Sequence, residues 1–475
     1  MSNAKLIIKN TGILVFGEIL SRVFSFFLII FIARYLGNVG LGKYSFIFAF
    51  VGIFSIMSDL GTTVYMTREI ARNKSVTKEY LGKVFVLKVM ASSLSVLMPL
   101  IFIMFTTQTS EIKAGVLLAC IAIFFNYMAF PFRAVVNAYE VQQYQSIYSF
   151  VERLTAFALG VFVLSRGYGL MGLLFALVAS NIVSWIVLYA LVSRKISALT
   201  PKIDFKFINF LLKESFPFWF TTIFMTIYFK IDTVMLSFMK GYAATGWYNA
   251  SYKIIDTLSF LPFVVVTAIF PAMSKFHRDS KLLLKILYEK SFYYMAILAL
   301  PLGLGATLLA DRIIWFVYKQ EFANSIVVLQ ILIWALVFIF VNYLMGYLLN
   351  SIEKQKLFTL TTGLCAVLNI ALNLFLIPLY SFIGASVATV ITELFNFSML
   401  YYFTSKNGLK IDILRIILKP ALATALMGLF VVYLSGFHLL LLIPSSILFY
   451  FSILFIIGGI REEDKKLLLS FAGIK

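Results

Sequence analysis

The sequence predicts an all-α membrane protein of about 14 transmembrane helices, with two six-helix lobes related by an internal repeat and two further C-terminal helices. Three observations predict this fold: the composition, the spacing of long apolar runs, and two short motifs that recur in both halves of the chain. Of the 475 residues, 61% are hydrophobic and only 13% are charged, whereas a soluble domain carries about 25% charged residues. Too few charges remain to hydrate a globular surface, so the composition indicates a chain largely surrounded by lipid.

Fourteen apolar runs are long enough to cross a bilayer, which takes about 20 residues in a helix. Helices are favoured because each satisfies its own backbone polar groups in lipid, and because a β-barrel would show alternating segments of about ten residues. The runs cover residues 11–33, 44–66, 84–105, 114–133, 147–166, 169–192, 216–239, 247–271, 292–311, 325–349, 358–378, 381–404, 416–435 and 438–460. The divisions near 167, 380 and 436 depend on very short connections.

Basic residues in the connecting segments predict the orientation. With the N-terminus placed in the cytoplasm, the cytoplasmic segments carry roughly four times as many Lys and Arg residues as the outer segments. This bias predicts a multi-pass protein of the cell (cytoplasmic) membrane with both termini in the cytoplasm. It also explains the net charge of +19 as topogenic loop charge rather than as a nucleic-acid footprint, so no nucleic-acid partner is expected.

Two pairs of motifs indicate an internal repeat. Gly42-Lys43-Tyr44 and Gly246-Trp247-Tyr248 each open an apolar run, and NAYEVQ at 137–142 is matched by NSIEKQ at 350–355 after the fourth span of each half. Two matches in the same order on equivalent connections predict lobes of parallel orientation. The predicted domains are an N-terminal lobe (1–200), a C-terminal lobe (201–405), and a segment with spans 13 and 14 and a cytoplasmic tail (406–475).

Basic side chains inside the spans are candidates for binding an anion, because a charge near mid-bilayer is costly unless it is paired or hydrated. Arg22 in span 1 and Lys230 in span 7 fall about one turn apart when the halves are aligned, which predicts two cations in one central cavity. Phosphate is the natural ligand, since Lys and Arg donate charge-assisted hydrogen bonds to its oxygens. The predicted headgroup-binding residues are Arg22, Lys230, Lys253 and Arg153.

Acidic side chains inside the spans are candidates for binding a coupling H⁺ or Na⁺, or for pairing with a cation. The candidates are Glu18, Asp59, Asp232, Asp256 and Glu393. Glu18 stands four residues before Arg22, and Asp256 stands three residues after Lys253, so either pair is also explained by simple mutual neutralisation. Lys88, about one turn into span 3, is expected to extend its ammonium group to the membrane interface.

Residue patterns of catalytic or metal-binding sites are not found in the sequence. Cys120 and Cys365 lie inside apolar runs, and His277 and His438 fall on connections predicted on opposite sides. No nucleotide-binding glycine loop or metal-ligand spacing is present, and no outer loop is long enough to build an enzyme site. We therefore expect a transporter, not a membrane enzyme, with no cofactor or metal apart from a coupling H⁺ or Na⁺.

The segments GEILSRVFSFFLIIFIARYLGNVGLGKYSFIFAFVGIFSIMSDLG (17–61) and NAYEVQQYQSIYS (137–149) resemble the polysaccharide transporters of the O-antigen-flippase type. These belong to the multidrug/oligosaccharidyl-lipid/polysaccharide exporter superfamily, with a MATE-like fold. The resemblance implies a flippase that moves a polyprenyl phosphate- or pyrophosphate-linked oligosaccharide by rocking its lobes, for cell-surface polysaccharide or glycan assembly. It implies that cavity cations hold the phosphate, a role that Arg22 matches best by position. The implied partners are the lipid-linked oligosaccharide, membrane lipids and glycan-assembly membrane enzymes.

Other functions remain open from the sequence. A cation-coupled exporter of drugs or small molecules with the same fold would favour carboxylates in its site, and Asp59 and Glu393 keep this alternative open. The basic residues inside the spans favour the flippase. A purely structural membrane protein would leave both the intramembrane charges and the repeat without a purpose.

Overall fold

A computed structural model describes the backbone of residues 3–459, and the side chains from residue 17 onward except 18–20, 216–218 and 220–221. Within this range the regular structure is helical. The α-helices are α1 (Asn3–Phe54), α2 (Ile56–Asp59), α3 (Thr62–Arg72), α4 (Thr77–Met104), α5 (Ser110–Met128), α6 (Phe130–Ala138), α7 (Gln142–Ser165), α8 (Gly169–Lys195), α9 (Phe205–Leu258), α10 (Phe260–Asp279), α11 (Lys281–Leu308), α12 (Ala310–Tyr318), α13 (Asn324–Ser351), α14 (Gln355–Lys406), α15 (Ile413–Tyr433) and α16 (Leu439–Ile456).

The described residues contain 11 helical segments that are long and apolar enough to cross a membrane. Three of them, of 52, 58 and 52 residues, are far longer than one crossing needs, because about 20 residues span the hydrocarbon core. Each of these three contains a break in helical geometry, at Gly37, Gly241 or Ser381. Counting each as two crossings makes the structure consistent with the predicted fourteen spans.

The breaks in α1 and α9 replace the connections predicted at 34–43 and 240–246. At each position a single glycine has a positive φ (68° at Gly37, 82° at Gly241) and an extended ψ near 180°, while the residues on either side remain helical. A side chain at such φ values would be strained, so glycine is the residue suited to these turns. The two glycines occupy equivalent places in the motifs at 37–44 and 241–248, so the repeat extends to the backbone.

The second pair of motifs also shares one backbone conformation. Glu140 and Glu353 both have a left-handed φ, 58° and 60°. In each turn the following residue, Val141 or Lys354, donates its N–H to a carbonyl five residues earlier, at 3.1 and 2.8 Å. This is the hydrogen-bond pattern that closes a helix C-terminus before the chain turns. The internal repeat inferred from the motifs is therefore confirmed at both positions by local structure.

Contacts within the chain define two compact units. Unit 1 comprises residues 1–253 and 369–381, and unit 2 comprises residues 254–368 and 382–475. In unit 1, α7 packs against α8 and α1, and α5 packs against α8; in unit 2, α11 packs against α13 and α15, and α15 packs against α16. The predicted domain boundaries at 200 and 405 follow the sequence repeat, and they stay a prediction.

The connection between α8 and α9 packs against the first turns of α4 and forms a salt bridge with it. The ammonium group of Lys83 lies 2.8 Å from a carboxylate oxygen of Asp204, and a Cβ on Gly82 would overlap the carbonyl oxygen of Thr200. Asp204 also accepts a hydrogen bond from the backbone N–H of Phe207 at 3.0 Å, which caps the start of α9. The hydrogen bond from Lys83, followed by that from Phe207, lowers the pKa of Asp204 below its ordinary value.

Candidate functional site

Unit 1 contains a cavity of about 240 Å³ among its membrane-spanning helices. Arg153 and Glu152 of α7 and Lys253 of α9 supply charged groups to its lining. The polar part of the lining is completed by Ser25, Tyr44, Asn126, Ser180 and Asn181. The cavity therefore presents two cations, one carboxylate and several neutral hydrogen-bonding groups inside the membrane, where the lipid chains provide no polar groups.

Hydrogen bonds between helices fix the amide side chains at this cavity. The amide nitrogen of Asn126 donates to the hydroxyl of Tyr148 at 3.2 Å and to the amide oxygen of Asn181 at 3.4 Å. Asn181 in turn donates to the carbonyl of Leu177 at 2.9 Å. These contacts join α5, α7 and α8, so the polar groups are held in place before a ligand enters, which lowers the cost of binding.

The structure brings together two of the four predicted headgroup-binding residues. Arg153 and Lys253 are 100 residues apart in the chain and line the same cavity. Its lining, among the described residues, includes neither Arg22 nor Lys230. Lys230 lies beside the second crossing of α1, where a Cβ on Gly52 would be 3.9 Å from its Cε atom.

Glu152, Asn126 and Asn181 were not singled out by the sequence analysis as site residues, although each lies in an apolar run. The sequence feature that could have identified them is a polar side chain inside an apolar run. For asparagine this feature is a weak indication of a site, because a backbone carbonyl of its own helix can accept the hydrogen bond of the amide. Among the predicted carboxylates, the side chain of Glu18 lies outside the described side chains. Asp256 accepts a hydrogen bond at its backbone carbonyl from Ser259 at 2.7 Å.

Asp59 and Lys88 form a buried ion pair, which corrects the expectation that Lys88 reaches the membrane interface. Lys88 is only 1% exposed, and its ammonium group lies 2.5 Å from a carboxylate oxygen of Asp59. It also donates to the carbonyls of Ser58 and Asp59 at 3.1 and 2.9 Å. These carbonyls end α2 just before the left-handed residues Leu60 and Gly61, so Lys88 neutralises Asp59 and satisfies the carbonyls freed by this break.

Asp232 lies in a buried polar network on the first crossing of α9. It is 4% exposed, and its two carboxylate oxygens accept hydrogen bonds from the hydroxyl of Tyr248 at 2.9 Å and from the amide of Asn373 at 2.5 Å. Asn373 also donates to the amide oxygen of Asn369 at 3.0 Å. The amide oxygen of Asn373 is buried and has no hydrogen-bond partner among the described residues. No group of three or more His, Cys, Asp and Glu side chains that could hold a metal ion occurs in the described part of the chain.

Glu393 is a buried carboxylate of unit 2. It is 3% exposed, and the amide nitrogen of Asn342 donates to its side-chain oxygen at 2.7 Å and to its backbone carbonyl at 3.1 Å. An ionised carboxylate only accepts hydrogen bonds, and it gains an O–H donor when it takes up a proton. Its geometry therefore keeps it among the candidate coupling residues.

The two repeated glycine motifs contact each other within unit 1. A Cβ on Gly42 would overlap the carbonyl oxygen of Tyr242, and a Cβ on Gly246 would overlap the carbonyl oxygen of Asn38. The contact is reciprocal, since each motif supplies both a glycine and a carbonyl. Only glycine allows the two backbones to approach this closely, which explains why both motifs carry it at this position.

These features define a polytopic membrane transporter: long apolar helices that account for about fourteen crossings in the described part of the chain, a repeat with paired kinks, and a charged cavity among the helices. The profile of the family described as "Polysaccharide biosynthesis protein" matches residues 7–277, more than half of the chain. The chain therefore belongs to that family, and a second profile, MatE, matches residues 217–375. The prediction from the segments at 17–61 and 137–149 is confirmed, and so is the expectation of a transporter with a MATE-like fold.

Individual proteins support the same assignment. The chain is 24% identical over 396 residues to the "Probable low-salt glycan biosynthesis flippase Agl15" of Haloferax volcanii, covering 83% of this chain and 81% of that protein. Its fold resembles that of the lipid II flippase MurJ in an inward closed conformation, with a TM-score of 0.79 at 18% identity, covering 94% and 98% of the two chains. It also resembles an inward-facing multidrug resistance MATE transporter, with a TM-score of 0.68 at 14% identity, covering 82% and 95%.

Proposed function

We propose that this protein is a flippase that moves a polyprenyl phosphate- or pyrophosphate-linked oligosaccharide across the cytoplasmic membrane by alternating access, for cell-surface polysaccharide or glycan assembly. The observation that carries the proposal is the cavity in unit 1, where Arg153 and Lys253 offer two cations beside a row of neutral polar groups. A phosphate group satisfies two cations, while hydroxyl and amide groups suit the hydroxyls of a sugar.

Arg22 and Lys230 complete the proposed headgroup-binding set. Both lie on unit-1 helices inside the spans, and Lys230 is exposed. A headgroup that moves through the protein needs cations along its path as well as at one resting site, because an uncompensated phosphate is costly away from water. In this proposal the lipid tail stays in the bilayer, and the glycan-assembly enzymes that make or use the substrate act before and after it.

The test is flipping of a labelled polyprenyl pyrophosphate oligosaccharide in proteoliposomes, with wild type compared to Arg153→Ala/Lys253→Ala. We expect wild type to flip the lipid and the variant to lose nearly all of that activity while it keeps its thermal stability. Arg22→Ala and Lys230→Ala should each reduce the rate less than the double variant. Equal rates in wild type and double variant would remove the cavity from the mechanism.

The same assay distinguishes the alternative of a cation-coupled exporter, which the MatE match and the carboxylate of Glu152 in the cavity favour. A well-folded wild type that effluxes cationic dyes and flips no lipid would support the exporter. In that case Glu152→Gln should stop efflux, since a carboxylate is what a cationic drug requires.

We further propose that Asp232 binds the coupling cation, H⁺ or Na⁺. Its carboxylate accepts a hydrogen bond from Asn373, which also donates to Asn369, and the amide oxygen of Asn373 is left without a partner among the described residues. Carboxylate and amide oxygens are the ligands that hard cations prefer. Imposing a Na⁺ or a proton gradient should accelerate flipping in wild type but not in Asp232→Asn, with Glu393→Gln as the comparison in unit 2. A wild-type flipping rate that is the same with and without either gradient would show that no coupling ion is used.

A further inference from the structure

A second cavity, of about 610 Å³, lies in unit 2 where α11, α15 and the end of α16 meet. Lys290 of α11 and Arg415 and Lys419 of α15 supply three cations to its lining. It shares no described residue with the cavity of unit 1. The loop charges place this end of the helices on the predicted cytoplasmic side of the membrane.

Hydrogen bonds build one wall of this cavity. Lys419 donates to the carbonyl of Gly458 at 2.7 Å, and the hydroxyl of Tyr293 donates to the carbonyl of Gly459 at 2.5 Å. The two bonds hold the chain that follows α16 against α15 and α11. The cavity is therefore bounded on three sides by fixed elements of unit 2.

Its two carboxylates are directed to other groups. Asp412 accepts a hydrogen bond from the backbone N–H of Arg415 at 3.2 Å, as the cap of α15, and Glu289 lies 3.9 Å from the ammonium group of Lys285. The guanidinium of Arg415, in contrast, makes no hydrogen bond or ion pair with a described residue. A guanidinium matches the oxygens of a phosphate in a bidentate fashion, so a phosphate is the ligand that these groups favour.

The surroundings of the cavity are apolar and exposed. Leu418 of α15 lines it with 68% of its surface exposed, and Leu422 and Leu429, further into the membrane on the same face of α15, are 52% and 68% exposed. In a membrane such a stripe lies against hydrocarbon chains. A ligand with an anionic head and an apolar tail fits both the cations and the stripe, whereas inorganic phosphate fits the cations alone.

We propose that this cavity binds the phosphate headgroup of a membrane lipid, with Arg415 as the main contact and Lys290 and Lys419 beside it. The lipid's hydrocarbon chain lies along the exposed leucines of α15, which continue from the cavity into the membrane. The site is separate from the cavity proposed for transport, and it does not depend on that proposal.

The experiment is native mass spectrometry of the full-length protein titrated with phosphatidylglycerol, polyprenyl phosphate or zwitterionic phosphatidylcholine. Wild type should retain at least one of the two anionic lipids more tightly than phosphatidylcholine. Arg415→Gln should weaken that retention about tenfold, the effect expected from the loss of one charge-assisted contact. Arg415→Lys, which keeps the charge and loses the fork, should be intermediate. Lys356→Gln is the matched control, because it removes an exposed charge on the same predicted side and outside the cavity.

Competition between the two anionic lipids then identifies the source of the phosphate. Displacement of phosphatidylglycerol by polyprenyl phosphate would assign the site to the carrier lipid, and the reverse would assign it to a bilayer lipid. Equal retention of phosphatidylcholine, an equal loss in Lys356→Gln, or equal binding of inorganic phosphate alone would overturn the proposal. Because the readout is lipid retention, failure here leaves the transport proposal untouched.

Discussion

The charges of unit 1 inside the membrane spans occupy two contrasting environments. At the ion pair, Lys88 is almost fully buried and is saturated by the carboxylate of Asp59 and two backbone carbonyls. At the cavity, Arg153 and Lys253 face a space of about 240 Å³ that also contains neutral polar groups. Both environments make charge tolerable inside lipid: Lys88 is enclosed by protein acceptors, whereas Arg153 and Lys253 also border a space with room for a ligand or water.

The difference separates stability from activity. Removing one member of a saturated pair leaves an uncompensated charge and loose carbonyls, which destabilises the fold. Removing a cation that borders a cavity leaves space that water fills, so we expect ligand binding to suffer more than the fold. The four predictions below test this distinction, in order of decreasing effect.

The largest effect is expected for Lys88→Met. The substitution removes the ammonium group that neutralises the buried Asp59 carboxylate and donates to the carbonyls of Ser58 and Asp59, so the free energy of unfolding should fall by about 3–5 kcal/mol. Thermal unfolding in detergent measures this, with Lys78→Met, an exposed lysine in the first turn of the same helix, as the control. Adding Asp59→Asn to Lys88→Met should restore part of the loss. An unchanged melting temperature in Lys88→Met would contradict a structural role for the pair.

The second effect concerns close packing without charge. Gly42→Ala or Gly246→Ala places a methyl group on a backbone carbonyl of the facing motif and should destabilise the protein by about 1–3 kcal/mol. Gly52→Ala, on the same helix as Gly42, is the control, because its new methyl group would meet only Lys230 at 3.9 Å. Similar melting temperatures for Gly42→Ala and Gly52→Ala would show that the two motifs do not depend on glycine for their contact.

The third prediction isolates the chemistry of the cavity. Arg153→Lys retains a positive charge and loses the bidentate fork, so flipping should slow by about tenfold with no change in melting temperature. Arg166→Lys, at the exposed end of the same helix, should leave both quantities unchanged. If Arg153→Lys lowered both the melting temperature and the flipping rate, Arg153 would have a structural role like that of Lys88 and not a ligand-binding role.

The smallest effect is expected at the connection between α8 and α9. Because the pKa of Asp204 is lowered by Lys83 in the folded protein, its contribution to stability is present above its ordinary value near 3.8 and is lost as the pH falls through the lower folded value. Asp204→Asn should therefore melt slightly below wild type at neutral pH, and the two should converge in acid. A difference that persists with Asp204 protonated would point to packing rather than charge.

The sequence by itself determined the membrane class, the fourteen spans and the repeat. These follow from local properties, since the length of an apolar run and the positions of basic residues do not depend on which helices pack together. The motifs at 37–44 and 241–248 correctly identified equivalent positions. We expected these motifs to lie in loops between spans. The structure instead has a single glycine of positive φ between two helical segments, and the sequence does not distinguish such a turn from a short loop.

Only the tertiary structure decided which intramembrane charges share an environment. Lys88 and Arg153 look alike in sequence, each a cation inside an apolar run, but one finds a carboxylate 29 residues away and the other faces a cavity. Hydropathy reports how deep a residue lies, whereas pairing depends on which helix faces it. That choice is made by side-chain packing among spans that are nearly equal in hydrophobicity, and it has no signature along one chain.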